Sequence, residues 1–146
     1  MVTEAVEIFT DGACRGNPGP GGWGALLRCK GREREISGAD ASTTNNRMEL
    51  CALINAYELL PDDAEVTVIT DSKLCLDTIT KWAFGWESRG WARKGKPLKN
   101  LDLVKPLFAL YKAHPRCPLK WIAAHSGYRW NEYADSLSTA WMRPEK

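Results

Sequence analysis

The sequence lacks the long apolar runs that a membrane span would need. Its longest apolar stretches fall far short of 18 residues, whereas a helix that crosses a bilayer needs about 20. The first residues, Met1-Val2-Thr3-Glu4, also lack the basic start and the apolar core of a secretory signal. We therefore expect a protein of the cytoplasm rather than a membrane or exported protein.

The chain also lacks the residue pairs that build disulfide frameworks and structural zinc sites. Its cysteines are odd in number and widely spread, and none forms a CxxC pair. They are Cys14, Cys29, Cys51, Cys75 and Cys117. We interpret most of them as small buried hydrophobes in a reducing compartment.

The chain shows no repeat, linker or low-complexity segment, and its 146 residues suit one domain. We therefore expect a single domain over 1–146. The net charge is only +2, but residues 81–105 carry a formal +5 and the remainder sums to −3. This partition predicts a basic protrusion at about 81–100 and a partner of negative charge.

Hydrophobic periodicity predicts an α/β fold. Three β-rich segments at the start predict an antiparallel meander with strands over 6–10, 23–29 and 33–37, and Gly16–Gly22 reads as a turn. Alternating helices and strands follow. The predicted elements are a helix from 45 to 60, a strand over 65–70, a short helix through Ile79, a helix over 101–114, a strand over 119–123 and a helix over 131–142. This order predicts a mixed five-stranded sheet, three strands antiparallel and two parallel, flanked by helices.

Four carboxylates stand where the fold would gather them. Asp11 and Asp71 end β-rich runs, Glu49 falls in the predicted first turn of the long helix, and Asp135 lies in the last helix. Taken alone, each is more often a turn, cap or dipole partner. If the first and fourth strands are neighbours, however, carboxylates converge and repel one another, and a cation resolves the repulsion. Oxygen ligands without a Cys/His set favour Mg²⁺, with Mn²⁺ as the alternative.

Both histidines follow predicted elements. His125 falls after the fifth strand in a glycine-containing loop, where it would move protons near neutral pH or be an ordinary surface residue. His114 precedes Pro115 at a helix end, so we interpret it as a partner of the helix dipole.

Several sequence segments, in this order, resemble bacterial type 1 ribonuclease H. The resemblance covers about residue 5 to residue 142, and its combination of segments is far more specific than any one of them. The segments are 9–12, 16–22, 43–50, 70–72, 82–91 and 125–135. Ser42 departs from the family, in which arginine is common at this position, and so does Lys73, where a neutral residue is common.

The resemblance implies a ribonuclease H-like fold of order βββαβαβα and an endonuclease that cleaves the RNA strand of RNA–DNA hybrids. It implies little sequence specificity, products with 5′-phosphate and 3′-hydroxyl ends, and two metal ions with substrate bound. It also implies a monomer. The implied metal ligands are Asp11, Glu49, Asp71 and Asp135, with His125 assisting proton transfer or product release.

The resemblance also implies a set of substrate-binding residues. Trp82 and Trp86 would contact the DNA strand, and Thr44 and Asn100 would hold a DNA phosphate. Lys99 and other cations of the basic segment would grip phosphates. Lys73, which departs from the family, would help to hold an RNA phosphate or compete mildly with the metal. Residues near the ribose 2′-hydroxyl, the group that distinguishes RNA from DNA, would be Cys14, Gly16, Asn17, Asn45 and Asn46. Their alternative interpretations are turn residues, core tryptophans and a solvated surface.

Two other functions fit parts of the sequence. One is a different nuclease on the same fold, such as a junction resolvase or transposase domain, but the residues near the 2′-hydroxyl and the tryptophan-rich basic segment disfavour it. The other is a non-catalytic hybrid-binding module. That alternative predicts a missing carboxylate, whereas all four are present.

Overall fold

A computed structural model of the protein describes residues 7–15, 18–29, 32–92 and 98–123. The strands are β1 (Glu7–Cys14), β2 (Gly19–Cys29), β3 (Arg32–Thr43), β4 (Thr67–Thr70) and β5 (Leu119–Trp121). The helices are α1 (Asn45–Glu58), α2 (Lys73–Asp77), α3 (Ala83–Ser88) and α4 (Leu101–Ala113), and a π-helical segment, Thr78–Trp82, joins α2 to α3. The predicted helix over 131–142 lies outside these residues.

The five strands form one mixed sheet in the order β3-β2-β1-β4-β5. β1 pairs antiparallel with β2, and β2 pairs antiparallel with β3. β4 runs parallel to β1 and to β5. The predicted α/β fold is confirmed, including the antiparallel meander followed by two parallel strands. The neighbourhood of the first and fourth strands, on which the predicted carboxylate cluster depends, is also confirmed.

The predicted end of the first strand was wrong, and so was the part of the predicted turn from Gly19 to Gly22. β1 continues past Asp11-Gly12 to Cys14, and β2 already begins at Gly19. A β-carbon added to Gly21 would come within 2.7 Å of the Ala13 carbonyl oxygen. Glycine therefore serves here to let two paired strands approach closely, rather than to make a turn.

Helix α1 begins where the sequence predicted it. Thr44 is its N-cap, and the Thr44 side chain accepts a hydrogen bond from the Arg47 backbone N–H at 3.2 Å. Glu49 is the fifth residue of α1, and the first turn of the helix contains no acidic residue. The predicted place of Glu49 in the first turn was therefore wrong, and the helix dipole gives a weaker reason for its presence.

The predicted short helix after β4 is longer than the periodicity through Ile79 indicated. α2, the π-helical segment and α3 follow one another without a break up to Ser88. Trp82 and Trp86, at the start of the predicted basic protrusion, thus belong to helical structure. Lys81 forms an ion pair of 3.3 Å with Asp77, one turn earlier.

The main core lies where α1 packs against one face of the sheet and α4 packs against α1. Ile8, Leu53, Tyr57, Leu107 and Phe108 are all fully buried there. A smaller cluster contains Phe9 and Ile69 packed with Ile122. Burial of this apolar surface fixes α1 across the sheet, which brings its N-terminal half next to β1.

His114 caps the C-terminal end of α4, as its position predicted, but it is a core residue as well. Its side chain is 3% exposed, and its ring nitrogens lie 2.6 Å from the Leu110 carbonyl oxygen and 2.8 Å from the Leu60 carbonyl oxygen. It therefore joins the ends of α1 and α4.

In the described part of the chain, no helix has the length and apolar character needed to span a bilayer.

Candidate active site

Asp11 and Asp71 follow residues that pair with each other on the neighbouring parallel strands β1 and β4. Thr10 and Thr70 form the last pair between β1 and β4, and the two aspartates come directly after them, Asp11 within β1 and Asp71 just beyond β4. The Thr10 hydroxyl donates a hydrogen bond of 2.8 Å to the Ile69 carbonyl oxygen, which ties the two strands together at this point. The parallel register therefore places both carboxyl groups beside each other.

Glu49 reaches the same place because α1 lies against β1 at Gly12. A β-carbon on Gly12 would lie 2.4 Å from the Glu49 backbone nitrogen and 2.4 Å from the Met48 carbonyl carbon. Only glycine allows helix and strand to approach this closely. This contact places the backbone of Glu49 against Gly12, the residue that follows Asp11 in β1.

The three acidic side chains form one cluster. One carboxylate oxygen from each of Asp11, Glu49 and Asp71 lies within 4.8 Å of the others. Asp11 is 4% exposed and Glu49 is 9% exposed. Burial and the neighbouring charge of Asp71 raise the pKa of Glu49 from its ordinary value near 4.5 to about 8.

The cluster has the donor set that a hard divalent cation requires. Its ligands are all carboxylate oxygens, which Mg²⁺ and Mn²⁺ prefer. Among the described residues, the buried Oε2 atom of Glu49 has no hydrogen-bond partner. A buried carboxylate oxygen without a donor is unfavourable, and a cation would satisfy it and relieve the repulsion among the three groups.

The segment that carries Asp71 is held by three hydrogen bonds. The Ser72 backbone N–H donates to the Thr70 hydroxyl at 3.0 Å, and the Ser72 side chain accepts from the Cys75 N–H at 3.2 Å. The Trp121 indole N–H donates to the Asp71 carbonyl oxygen at 3.0 Å. These bonds fix the backbone from which Asp71 projects.

A groove of about 590 Å³ contains five of the predicted substrate-binding residues. They are Asn46, Trp82, Trp86, Lys99 and Asn100. The two indole rings lie 6.2 Å apart between centroids, and Trp82 is 44% exposed. Trp91, in contrast, packs edge-on against buried Phe108 at 5.9 Å. Trp86 and Trp91 both pack against the main core, and of these two only Trp86 also lines the groove.

Four other predicted substrate-binding residues occupy separate positions. The Cys14 thiol donates to the Thr43 and Gly19 carbonyl oxygens at 3.2 and 3.3 Å, and Thr44 caps α1. Asn45 is exposed at the start of α1. The Lys73 ammonium lies 5.3 Å from the centroid of the Trp121 ring, beside the Asp71 segment.

Some predicted site residues lie outside the described residues. They are Gly16, Asn17, His125 and Asp135. For these four, the roles implied by the resemblance stay predictions.

Sequence reasoning missed two residues that support the site. Trp121 binds the backbone of Asp71, and Arg47 donates to Asn100 at 3.2 Å and to both carboxylate oxygens of Asp102 at 2.9 and 2.6 Å. These partners lie 50 to 55 residues apart in the chain. No local pattern predicts such contacts.

Comparison with known proteins assigns the chain to a family. Residues 3–142 match the RNase H family. A ribonuclease H of Agrobacterium fabrum is 51% identical over 142 residues, which is 97% of either chain. The protein therefore belongs to the ribonuclease H family.

Solved structures agree with this assignment. LC9-RNase H1, a type 1 RNase H, superposes with a TM-score of 0.81 at 31% identity, over 96% of this chain and 72% of that one. LC11-RNase H1, solved in complex with an RNA/DNA hybrid, gives a TM-score of 0.67 at 28% identity, over 92% and 94% of the two chains.

Membership of the family establishes the reaction class. The chain is a hydrolase, an endonuclease that acts on RNA–DNA hybrids, as the resemblance predicted. The family depends on divalent metal ions, and the acidic cluster of Asp11, Glu49 and Asp71 is consistent with that dependence.

Proposed function

We propose that the chain hydrolyses the RNA strand of hybrids with two Mg²⁺ ions held by Asp11, Glu49, Asp71 and Asp135, with Mn²⁺ as the alternative ion. The observation that carries this proposal is the approach of three carboxylate oxygens to within 4.8 Å. The buried, unpartnered Oε2 atom of Glu49 supports it. The proposed products have 5′-phosphate and 3′-hydroxyl ends.

Bound divalent ions would stabilise the attacking water and the leaving oxygen of a phosphodiester. The work of the protein is to hold the carboxylates in place before substrate arrives. Gly12 fixes the approach of Glu49, and Trp121 fixes the backbone of Asp71. His125 is proposed to move a proton during the reaction or product release.

The substrate is proposed to bind along the groove beside the acidic cluster. Trp82 and Trp86 would contact the DNA strand, and Asn100 with Thr44 would hold one of its phosphates. Lys99 lines the same groove and supplies positive charge. Lys73, next to the Asp71 segment, would meet a phosphate of the RNA strand.

The ribose 2′-hydroxyls would be recognised by a second set of residues, of which Asn46 also lines the groove. The residues proposed for this role are Cys14, Gly16, Asn17, Asn45 and Asn46. Such recognition would restrict cleavage to a strand with 2′-hydroxyls and would leave little preference for base sequence. A single domain over 1–146, acting as a monomer in the cytoplasm, completes the proposal.

The substitution Asp11→Asn tests the role of the cluster. It removes one charged ligand and keeps the size of the side chain, so we expect cleavage of a labelled hybrid to fall at least 100-fold, on the order of what loss of a metal-centred electrostatic contribution costs. Hybrid affinity, measured by fluorescence anisotropy in EDTA, should stay within about threefold. Full activity of this variant in Mg²⁺ would contradict the proposal.

A comparison of substrates tests the specificity. Hybrid, duplex DNA and duplex RNA of one sequence are incubated with Mg²⁺, with Mn²⁺ or with EDTA, and the end groups of the products are determined. We expect cleavage of the hybrid alone and only with a divalent ion. Preference for duplex DNA would favour the alternative nuclease, and binding without cleavage would favour the non-catalytic module.

A further inference from the structure

Arg47 lies behind the groove and holds two residues at the start of α4. Its guanidinium donates to both oxygens of Asp102, at 2.9 and 2.6 Å, and to the Oδ1 atom of Asn100 at 3.2 Å. The paired carboxylate neutralises the arginine charge, and the Arg47 side chain is 33% exposed. Asn100 lines the groove, whereas neither Arg47 nor Asp102 belongs to the groove lining.

The contact with Arg47 determines which end of the Asn100 amide remains for a ligand. A guanidinium has N–H donors and no acceptor, so the amide atom facing it must be the oxygen. The two N–H donors of Asn100 are then left for the groove. This orientation suits a ligand rich in acceptors, such as a phosphate.

The Asn100 side chain does not cap the helix that follows it. Asn100 precedes α4 in the left-handed conformation, with φ of 58° and ψ of 30°, and its side chain makes no capping hydrogen bond. Asparagine at such a position commonly caps the helix. Here the amide oxygen is directed to Arg47 instead.

A second amide in the groove is oriented in the same sense. The Cys75 thiol donates to the Oδ1 atom of Asn46 at 3.4 Å. Burial raises the pKa of Cys75 to about 12, so the thiol keeps its proton at neutral pH. Two amides of one groove thus turn their oxygens toward the protein and leave their N–H donors to a ligand.

We propose that Arg47 is a positioning residue that sets the Asn100 amide as a hydrogen-bond donor to a phosphate of the bound hybrid. This inference rests on the proposed function, because it assigns a phosphate of the hybrid to the groove. Arg47 itself makes no contact with the substrate in this arrangement.

The test compares Arg47→Lys with Asp102→Asn. Lysine keeps the charge but lacks the planar fork that reaches two partners at once, whereas Asp102→Asn leaves the contact between Arg47 and Asn100. The dissociation constant for a labelled hybrid is measured by anisotropy in EDTA. We expect Arg47→Lys to raise it about tenfold, the value of one hydrogen bond to a charged group, and Asp102→Asn to change it less than about threefold.

A double-mutant cycle separates positioning from direct contact. If Arg47 acts through Asn100, then Asn100→Ala should weaken binding as much as Arg47→Lys, and the double variant should be no weaker than Asn100→Ala alone. The dependence of affinity on salt should be the same for Arg47→Lys and wild type, because the number of phosphate contacts with cations is unchanged. Urea unfolding of each variant identifies a purely structural effect.

Three outcomes would overturn the inference. The first is that Asp102→Asn and Arg47→Lys weaken hybrid binding equally. The second is that the double variant weakens binding by the product of the two single effects. The third is that Arg47→Lys changes the dependence of affinity on salt. If the wild-type protein binds hybrid and the variants give any of these outcomes, the inference fails and the proposed function stands. A wild-type protein that neither binds nor cleaves hybrid overturns the proposed function and the inference together.

Discussion

Glu49 shows how burial and charge act on a single residue of this site. Its pKa of about 8 lies above the value near 4.5 of an exposed glutamate, chiefly because burial disfavours the charged form and then because Asp71 repels it. Between those two pH values the folded protein holds a proton that the unfolded chain releases. The resulting stability is fully present below about pH 4.5 and is lost as the pH rises toward 8.

This linkage predicts that Glu49→Gln makes the protein more stable at alkaline pH in the absence of metal. In EDTA at pH 9, the free energy of unfolding of the variant should exceed that of wild type by a few kcal/mol, on the order expected for a pKa shift of this size. At pH 5 the difference should shrink. Urea unfolding between pH 5 and 9 measures it, and parallel curves for the two proteins would contradict the pKa assigned to Glu49.

Gly12 is the residue that permits contact between α1 and β1. Alanine at this position would place its β-carbon 2.4 Å from backbone atoms of Met48 and Glu49, which cannot move independently of α1. We expect Gly12→Ala to lower the free energy of unfolding by about 1–3 kcal/mol or more. Because the helix must shift, hybrid cleavage should fall as well.

Gly85 provides the matched control for Gly12. It lies within α3, and a β-carbon there would first meet the Arg89 guanidinium at 3.3 Å, the flexible end of a side chain. Gly85→Ala should leave stability unchanged or raise it by up to about 1 kcal/mol, because alanine favours a helix. Equal losses at the two positions in urea unfolding would contradict a specific role for Gly12.

Single residues of the site differ in how far the sequence could predict them. Asp11 and Asp71 follow β-rich runs, so their proximity where β1 and β4 stop pairing could be predicted, although β1 itself continues past Asp11. The close approach at Gly12 could not, because its partners Met48 and Glu49 lie on another element. Arg47 and Asp102 are 55 residues apart, and only the fold shows that they meet.

At the scale of elements, periodicity predicted the type of each described element better than its length. The meander was predicted, yet β1 and β3 run to Cys14 and Thr43, well past the predicted ends. Pairing with β2 compensates the weak strand preference of glycine and small residues in these segments, which is an effect of tertiary structure. Likewise, the π-helical segment Thr78–Trp82 has no recognised signal in the sequence.

The helical segment from α2 to α3 presents different aromatic residues to different surroundings. Trp82 is 44% exposed and lines the groove, whereas Phe84 is 50% exposed and packs edge-on against Phe108 at 4.8 Å. We expect Trp82→Ala to weaken hybrid binding about tenfold, since truncation of an aromatic contact residue commonly costs more than 1 kcal/mol. Phe84→Ala, a control of similar exposure two residues away, should leave binding unchanged.

Anisotropy in EDTA distinguishes the two aromatic variants, with urea unfolding to detect structural loss. If Phe84→Ala weakens binding as much as Trp82→Ala, the groove is not the surface that contacts the hybrid. If neither variant matters, the proposed DNA channel is wrong. Trp86, which lies beside Trp82 in the groove, should behave as Trp82 does.

At the scale of the whole molecule, the strand order of the sheet brings the three carboxylates of the site together. The carboxylates come from β1, from α1 and from the residue after β4, and they meet because β4 lies next to β1 rather than next to β3. Composition and periodicity predicted a mixed sheet but not its strand order. The convergence of the carboxylates was predicted on the condition that the first and fourth strands are neighbours, and the parallel pairing of Glu7–Thr10 with Thr67–Thr70 meets that condition.

The separation of charge also belongs to the whole chain. Residues 81–105 carry a formal charge of +5, and the rest of the chain carries −3. The negatively charged hybrid would therefore be attracted to the basic segment and repelled by the rest of the protein. Binding of this kind releases counterions, and affinity should fall steeply as salt increases. The question is whether the basic segment acts through its overall field or through cations at particular phosphates.

A comparison of Lys99→Gln with Lys105→Gln answers this question. Both lysines are exposed members of the basic segment, but Lys99 lines the groove, whereas Lys105 lies 5.8 Å from the centroid of the Trp91 ring. If Lys99 contacts a phosphate, Lys99→Gln should reduce the slope of log affinity against log salt by about 1, and Lys105→Gln should leave the slope unchanged. Equal reductions in the two variants would show that the overall field, rather than a contact within the groove, governs binding.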